Sequence, residues 1–132
     1  MLPTPMETVT FTVVPLPKEI VPFIEDAVVP PERLAEYLHD LQAIFDRVGV
    51  EAAAFGHAGD GNLHPNILFD KRNPEQYATA EKMVAEVFEA SLAVGGTLSG
   101  EHGVGVLKRP YLERALGPVS MDVQRHIKQA LD

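Results

Sequence analysis

The sequence contains no cysteine. That absence excludes disulfides, cysteine-ligated zinc, iron–sulfur clusters and a thiol nucleophile together. Any chemistry must rest on histidine, carboxylate, hydroxyl or lysine groups, or on a borrowed cofactor. Basic residues are scarce: 11 Lys and Arg stand against 19 Asp and Glu, a formal charge of -8. That balance argues against nucleic acid or an anionic membrane as the main partner. No apolar run approaches the roughly 20 residues of a membrane span. Met1–Pro17 has no Lys or Arg and is broken by prolines, unlike a secretory signal. A reducing, cytoplasmic compartment is therefore expected. What is present fits one soluble globular domain with a real core: 132 residues, 45% hydrophobic and 23% charged.

Proline and glycine divide the chain between them. Seven of the 11 prolines fall in the first 31 residues, and eight of the 10 glycines lie between positions 56 and 105. Residues 1–23 read as a proline-rich extended segment, with short strands expected near Thr8–Val14 and Glu25–Val29. From Pro31 the pattern turns helical, with Leu34, Leu38, Leu41, Phe45 and Val48 on one face and Gly49 as the stop. Glu51–His57 and Asn62–Phe69 read as strands, and Pro74–Val94 as a second helix carrying Tyr77, Ala80, Val84, Val87 and Ser91 on one side. Thr97–Leu107 reads as strand and loop, then Pro110–Leu116 and Val119–Leu131 as helices. The order β-α-β-β-α-β predicts an α+β fold of the ferredoxin-like, split βαβ kind, an antiparallel sheet with helices on one face.

Two glycine-rich segments carry the chemistry. In the first, Phe55 to Asn66, Asp60-Gly61 signals a two-residue hairpin turn. That turn would set His57 directly opposite His64, with Cβ atoms about 4.5–5.5 Å apart, close enough to share a cation. Asn66 would lie on the same face. The second segment, Gly95 to Gly105, supplies Glu101 and His102. Adjacent strand residues point to opposite faces, so the two serve one site only if the backbone bends, which Gly100 and Gly103 permit. Neither GxGxxG nor GxxxxGKS/T occurs there, so nucleotide binding is poorly supported. His57, His64 and Glu101 then form a two-histidine, one-carboxylate set suited to zinc, manganese, iron or cobalt, with His102 left for proton transfer. The absence of HExxH sets aside a common zinc-protease architecture. Lys108-Arg109 reads either as a clamp for a carboxylate or phosphate or as solvated charge before a helix. His39 and His126 read as surface or core-edge residues.

GHAGDGNLHPN and GGTLSGEHGVGVLKRPYL closely resemble the C-terminal (cap, or substrate) domain of FAD-linked oxidases of the glycolate oxidase large subunit, D-lactate dehydrogenase and D-2-hydroxyglutarate dehydrogenase group. IEDAVVPPERLAEYL resembles the strand and helix that open part of that domain, and the likeness covers about Ile24 to Leu131, within a cap domain of residues 24–132. The resemblance implies a flavoprotein that oxidises a 2-hydroxy acid to a 2-oxo acid. It implies metal ligands at His57, His64 and Glu101, zinc or manganese as the ion, a general base at His102 and a substrate contact at Asn66. It further implies FAD held mainly by a domain or subunit outside this sequence, and a possible electron-transfer subunit. The chain is accordingly expected to be a fragment, split subunit or truncated gene product with little activity alone. The ligand set by itself also allows a stand-alone metalloenzyme, and the third alternative is a non-catalytic binding or assembly module.

Overall fold

The computed structural model describes residues 20–48 and 52–132. The strand expected at Thr8–Val14 and the stop at Gly49 lie outside the described residues. Strands β1 (Ile20–Ile24) and β2 (Ala27–Val28) are followed by a single 3-10 turn, Pro31–Arg33, that runs directly into helix α1 (Leu34–Val48). Strands β3 (Ala52–His57) and β4 (Asn62–Asp70) form a hairpin, and helix α2 covers Pro74–Ala93. A one-turn helix α3 (Gly105–Lys108) leads through a further 3-10 turn, Arg109–Tyr111, into α4 (Leu112–Leu131). α4 is two helical pieces joined at Gly117, whose φ of 77° and ψ of 163° break the helix just before Pro118, close to the expected division.

β4 is the centre of an antiparallel sheet. β3 pairs along one edge, and β1 and β2 lie in line along the other. Both edges run antiparallel to β4, so they are parallel to each other with α1 between them, which is the expected split βαβ arrangement. The strand expected after Gly96 is reduced to a single bridge between Thr97 and Val28. The expected strand Glu25–Val29 is only Ala27–Val28, and Ile20–Phe23, assigned from its prolines to an extended segment, is paired. Pro22 is tolerated because Glu25 N–H donates to Pro65 C=O at 3.1 Å. Bonded positions alternate from there, which turns the Pro22 nitrogen away from β4, toward the edge that no described strand pairs, so no bond to β4 is lost. Pro65 explains the interruption between β1 and β2: it has no N–H to return to Glu25. The register nevertheless carries through unchanged from Ile24↔Asn66 to Ala27↔Leu63, which sets Asp26 opposite His64.

Alternation along β4 sorts its side chains. Leu63, Ile67 and Phe69 face the helices and join Ala27, Val29, Tyr37, Leu41, Phe45, Met83, Val84, Val87 and Phe88 in one buried core. Each fully buried apolar side chain contributes roughly 1.5–3 kcal/mol. The α1 stripe is rotated from the expected one: Tyr37, Leu41, Ile44 and Phe45 are buried, whereas Leu38 is exposed. α2 starts where Asn73 Oδ1 accepts the N–H groups of Glu75 and Gln76, with Pro74 at its first position. The opposite face of β4, carrying Asn62, His64 and Asn66, is where the polar residues gather. No described helix is long and apolar enough to cross a membrane. His39 and His126 are exposed, as expected.

Candidate active site and its relatives

The β3–β4 connection differs from the expected two-residue turn. Ala58–Asp60 form a 3-10 turn and Gly61 alone takes the left-handed conformation, φ 73° and ψ 8°. Asp60 has a side chain and stays out of that region, so the turn needs four residues rather than two. The register therefore closes on His57↔Asn62, and the residue opposite His64 is Phe55, not His57. A slide of two positions keeps both imidazoles on one face of the sheet. They become diagonal neighbours, with ring centroids 5.9 Å apart and planes nearly perpendicular.

Glu101 reaches this pair from the second glycine-rich segment. One carboxylate oxygen, Oε1, lies 3.2 Å from His57 Nε2 and 3.3 Å from His64 Nε2, and Asn62 Nδ2 donates to it at 2.6 Å. One ligand atom from each of His57, His64 and Glu101 lies within 4.8 Å of the other two. Donor atoms around a tetrahedral ion with bonds of about 2.0–2.1 Å stand about 3.3–3.4 Å apart. The two distances to Glu101 Oε1 match that spacing and the third edge is no longer than 4.8 Å, so these three residues could hold a small divalent ion. Asn62 Oδ1 and His64 Nδ1 are buried without a hydrogen-bond partner among the described residues. Buried polar atoms ordinarily have one, so these two stand out as unsatisfied.

His102 lies beside the cluster, its ring stacked on His64 with centroids 4.9 Å apart. Asn66 shares the face and donates Nδ2–H to His64 C=O at 2.9 Å. Lys108 is placed elsewhere than the expected clamp. Its ammonium is buried, donates to Asp26 C=O at 3.0 Å, pairs with the Asp26 carboxylate and lies 3.3 Å from Glu25 Oε2. Arg109 is exposed on the short helical run that follows.

Sequence reasoning passed over three residues here. Phe55 lies against the His64 ring at 5.5 Å, and Asn62 orients Glu101. Asp26 is the third: its fully buried carboxylate accepts the backbone N–H groups of Gly100, Glu101 and His102. Burial acts to raise its pKa, but the N–H of Glu101, the Lys108 ammonium and the N–H groups of Gly100 and His102 outweigh it, holding the group well below the usual carboxylate range. Its neighbour Glu25 is pushed up by burial, which Lys108 only partly offsets. An acidic pair inside the otherwise apolar run Ile24–Val29 was the available signal, since buried charges are rare unless paired.

The family model of FAD linked oxidases, C-terminal domain, matches residues 10–132. Glycolate oxidase subunit GlcD of Bacillus subtilis is 41% identical over 109 residues, covering 83% of this chain and 23% of that protein. The mitochondrial D-lactate dehydrogenase [cytochrome] of Arabidopsis thaliana is 38% identical over 109 residues, 83% of this chain and 19% of its own length. D-2-hydroxyglutarate dehydrogenase of Haemophilus influenzae is 37% identical over 112 residues, 85% of this chain and 11% of its own. The chain thus spans a quarter or less of these three curated relatives. With the match running through both glycine-rich segments and the helices behind them, the chain belongs to the FAD-linked oxidases and carries their C-terminal domain.

Proposed function

We propose that this chain forms the substrate- and metal-binding part of an FAD-dependent oxidoreductase that converts a small 2-hydroxy acid to the 2-oxo acid. The observation that carries the reading is the convergence of His57, His64 and Glu101 on one point with His102 stacked beside it. Glycolate, D-lactate and D-2-hydroxyglutarate, named in the relatives, share a hydroxyl next to a carboxylate, a unit that can chelate one ion through two oxygens. FAD supplies the hydride acceptor, and a divalent ion, zinc or manganese, supplies Lewis acidity that lowers the hydroxyl pKa.

Within this chain, His57, His64 and Glu101 would hold the ion. His102 takes the hydroxyl proton as hydride leaves C2, so the substrate loses one proton and one hydride and becomes the 2-oxo acid. The electrons then pass to an acceptor or electron-transfer subunit. Asn66 contacts the substrate from the same sheet face, and Arg109 is the exposed cation available to its carboxylate. Lys108 acts from behind the site through Asp26. The FAD-binding part is a separate region or subunit. α4 offers it Val119, Val123, Ile127 and Leu131, all exposed at four-residue intervals, and an apolar stripe of that kind suits an interface.

Dye reduction with glycolate, D-lactate and D-2-hydroxyglutarate tests the reading, using the chain alone and the chain co-expressed with an FAD-binding partner. Turnover is expected only from the assembled pair, and a chelator should suppress it. Turnover by the metal-loaded chain without flavin would instead establish a stand-alone metalloenzyme. Binding to the partner without turnover on any 2-hydroxy acid would leave a non-catalytic assembly module.

A further inference from the structure

Adjacent residues Glu101 and His102 both face one site, which a strand would forbid. The cause lies between β1 and β2, at Asp26. Its Oδ2 accepts N–H from Gly100 at 2.6 Å, Glu101 at 2.7 Å and His102 at 3.2 Å. Three successive N–H groups converge on one oxygen only when the backbone wraps around it as an anion-binding concavity. The same departure from strand geometry that aligns the N–H groups brings the two side chains to one side. Ser99 Oγ donates to the carboxylate at 3.2 Å and accepts Gly103 N–H at 2.8 Å, which closes the wrap.

The carboxylate is fixed in turn. Asp26 sits opposite His64 in the ladder, and the Lys108 ammonium, delivered by α3, neutralises it from inside the core. A charge with no exposure at all is tolerated only with such partners. His102 Nδ1 is 3.9 Å from Asp26 Oδ1, too far for a hydrogen bond, so the hold on His102 runs through its backbone.

We propose that Asp26 is the positioning residue of this site: its carboxylate, charge-compensated by Lys108, folds the Ser99–Gly103 segment so that Glu101 meets His57 and His64 while His102 stands over His64. The proposal rests on the site reading above for its functional consequence, but its structural half stands apart from any bound ion.

The test uses the full 132-residue chain in three variants: Asp26→Asn, Asp26→Asn with Lys108→Met to avoid a stranded ammonium, and Glu25→Gln. Backbone amide exchange is followed by NMR and zinc affinity by calorimetry. In both Asp26 variants the amides of Gly100, Glu101 and His102 should exchange at least tenfold faster while those of β4 hold. Zinc affinity should fall about 10- to 100-fold, the usual effect of removing a residue that orients a ligand. Glu25→Gln, which touches Lys108 but not the loop, should leave both readings at wild type. Wild-type exchange at the three amides overturns the proposal. So does equal acceleration in β4, which would mark a merely structural role, and so does zinc affinity within twofold of wild type once the loop has loosened. If the unmodified chain binds neither zinc nor manganese, the metal reading fails by itself, and the exchange measurement still decides the role of Asp26.

Discussion

His102 stacks on His64 with ring planes 14° apart, although one ring is buried in the sheet and the other stands at the surface. The stack gives an exposed imidazole a fixed platform. A ring held in this way keeps its edge open to solvent while its face is locked.

Two substitutions separate the platform from the proton. His102→Phe retains the ring contact and should leave the thermal midpoint near wild type, whereas His102→Ala should lose about 0.5–1.5 kcal/mol of ring pairing. In the assembled enzyme both should slow flavin reduction by about 10²–10⁴-fold, the usual contribution of a positioned base. Flavin reduction at the wild-type rate in His102→Ala would remove the residue from the reaction.

The two histidines of the cluster should respond differently because only one is buried. The His57 side chain is 63% exposed, against 7% for His64. His57→Ala should abolish zinc or manganese binding in calorimetry and change stability by no more than about 0.5 kcal/mol. His64→Ala should abolish binding and also destabilise the chain by about 1–3 kcal/mol in urea. Full metal content in both variants would show that the cluster is not the ligand set.

Much of this site was legible in the sequence because its signals are local. Asp60-Gly61 marks a turn, alternation places His57 and His64 on one face, and glycines beside Glu101 permit the bend that joins it to them. The hairpin register was less legible, since only the folded turn shows that Asp60 avoids positive φ and that two more residues are consumed. Asp26 was hidden for another reason: its partners in the loop lie more than seventy positions away. Lys108 was misleading on the same ground, because nothing near it in the chain announces the buried carboxylate it serves. β1 was obscured by Pro22, which reads as a strand breaker unless the neighbouring ladder shows which way its nitrogen points.

Acid should act on the neighbouring carboxylates in opposite senses. The folded state holds Asp26 below its ordinary range, so its contribution is complete above about pH 3.9, the unfolded value, and is lost as pH falls through the folded one. Glu25 is raised, so the folded state gains stability as pH falls through its elevated value, before Asp26 begins to lose any. Urea midpoints of the wild type and Asp26→Asn should therefore differ by a steady margin from pH 7 to about 4 and converge below it. A margin at about pH 2 as large as that at pH 7 would contradict the assignment.

The turn makes a further point measurable. A Cβ on Gly61 would sit 2.0 Å from Val29 C=O at a φ of +73°, whereas one on Gly59 meets nothing within 4 Å. Gly61→Ala should destabilise by about 1–3 kcal/mol or more through strain and collision. Gly59→Ala should stay within about 0.5 kcal/mol. Equal urea midpoints for the two would mean that the turn adopts another shape in solution.

Because strand faces have a period of two, the His57–Asn62 connection tolerates change by parity rather than by length. One residue more or less between the strands would carry His57 through the sheet into the hydrocarbon side, where Leu63 and Ile67 now lie. Two would merely move it along the same surface. The pairing of the imidazoles is thus protected against even changes in the loop and exposed to odd ones, a rule that any redesign of this hairpin inherits.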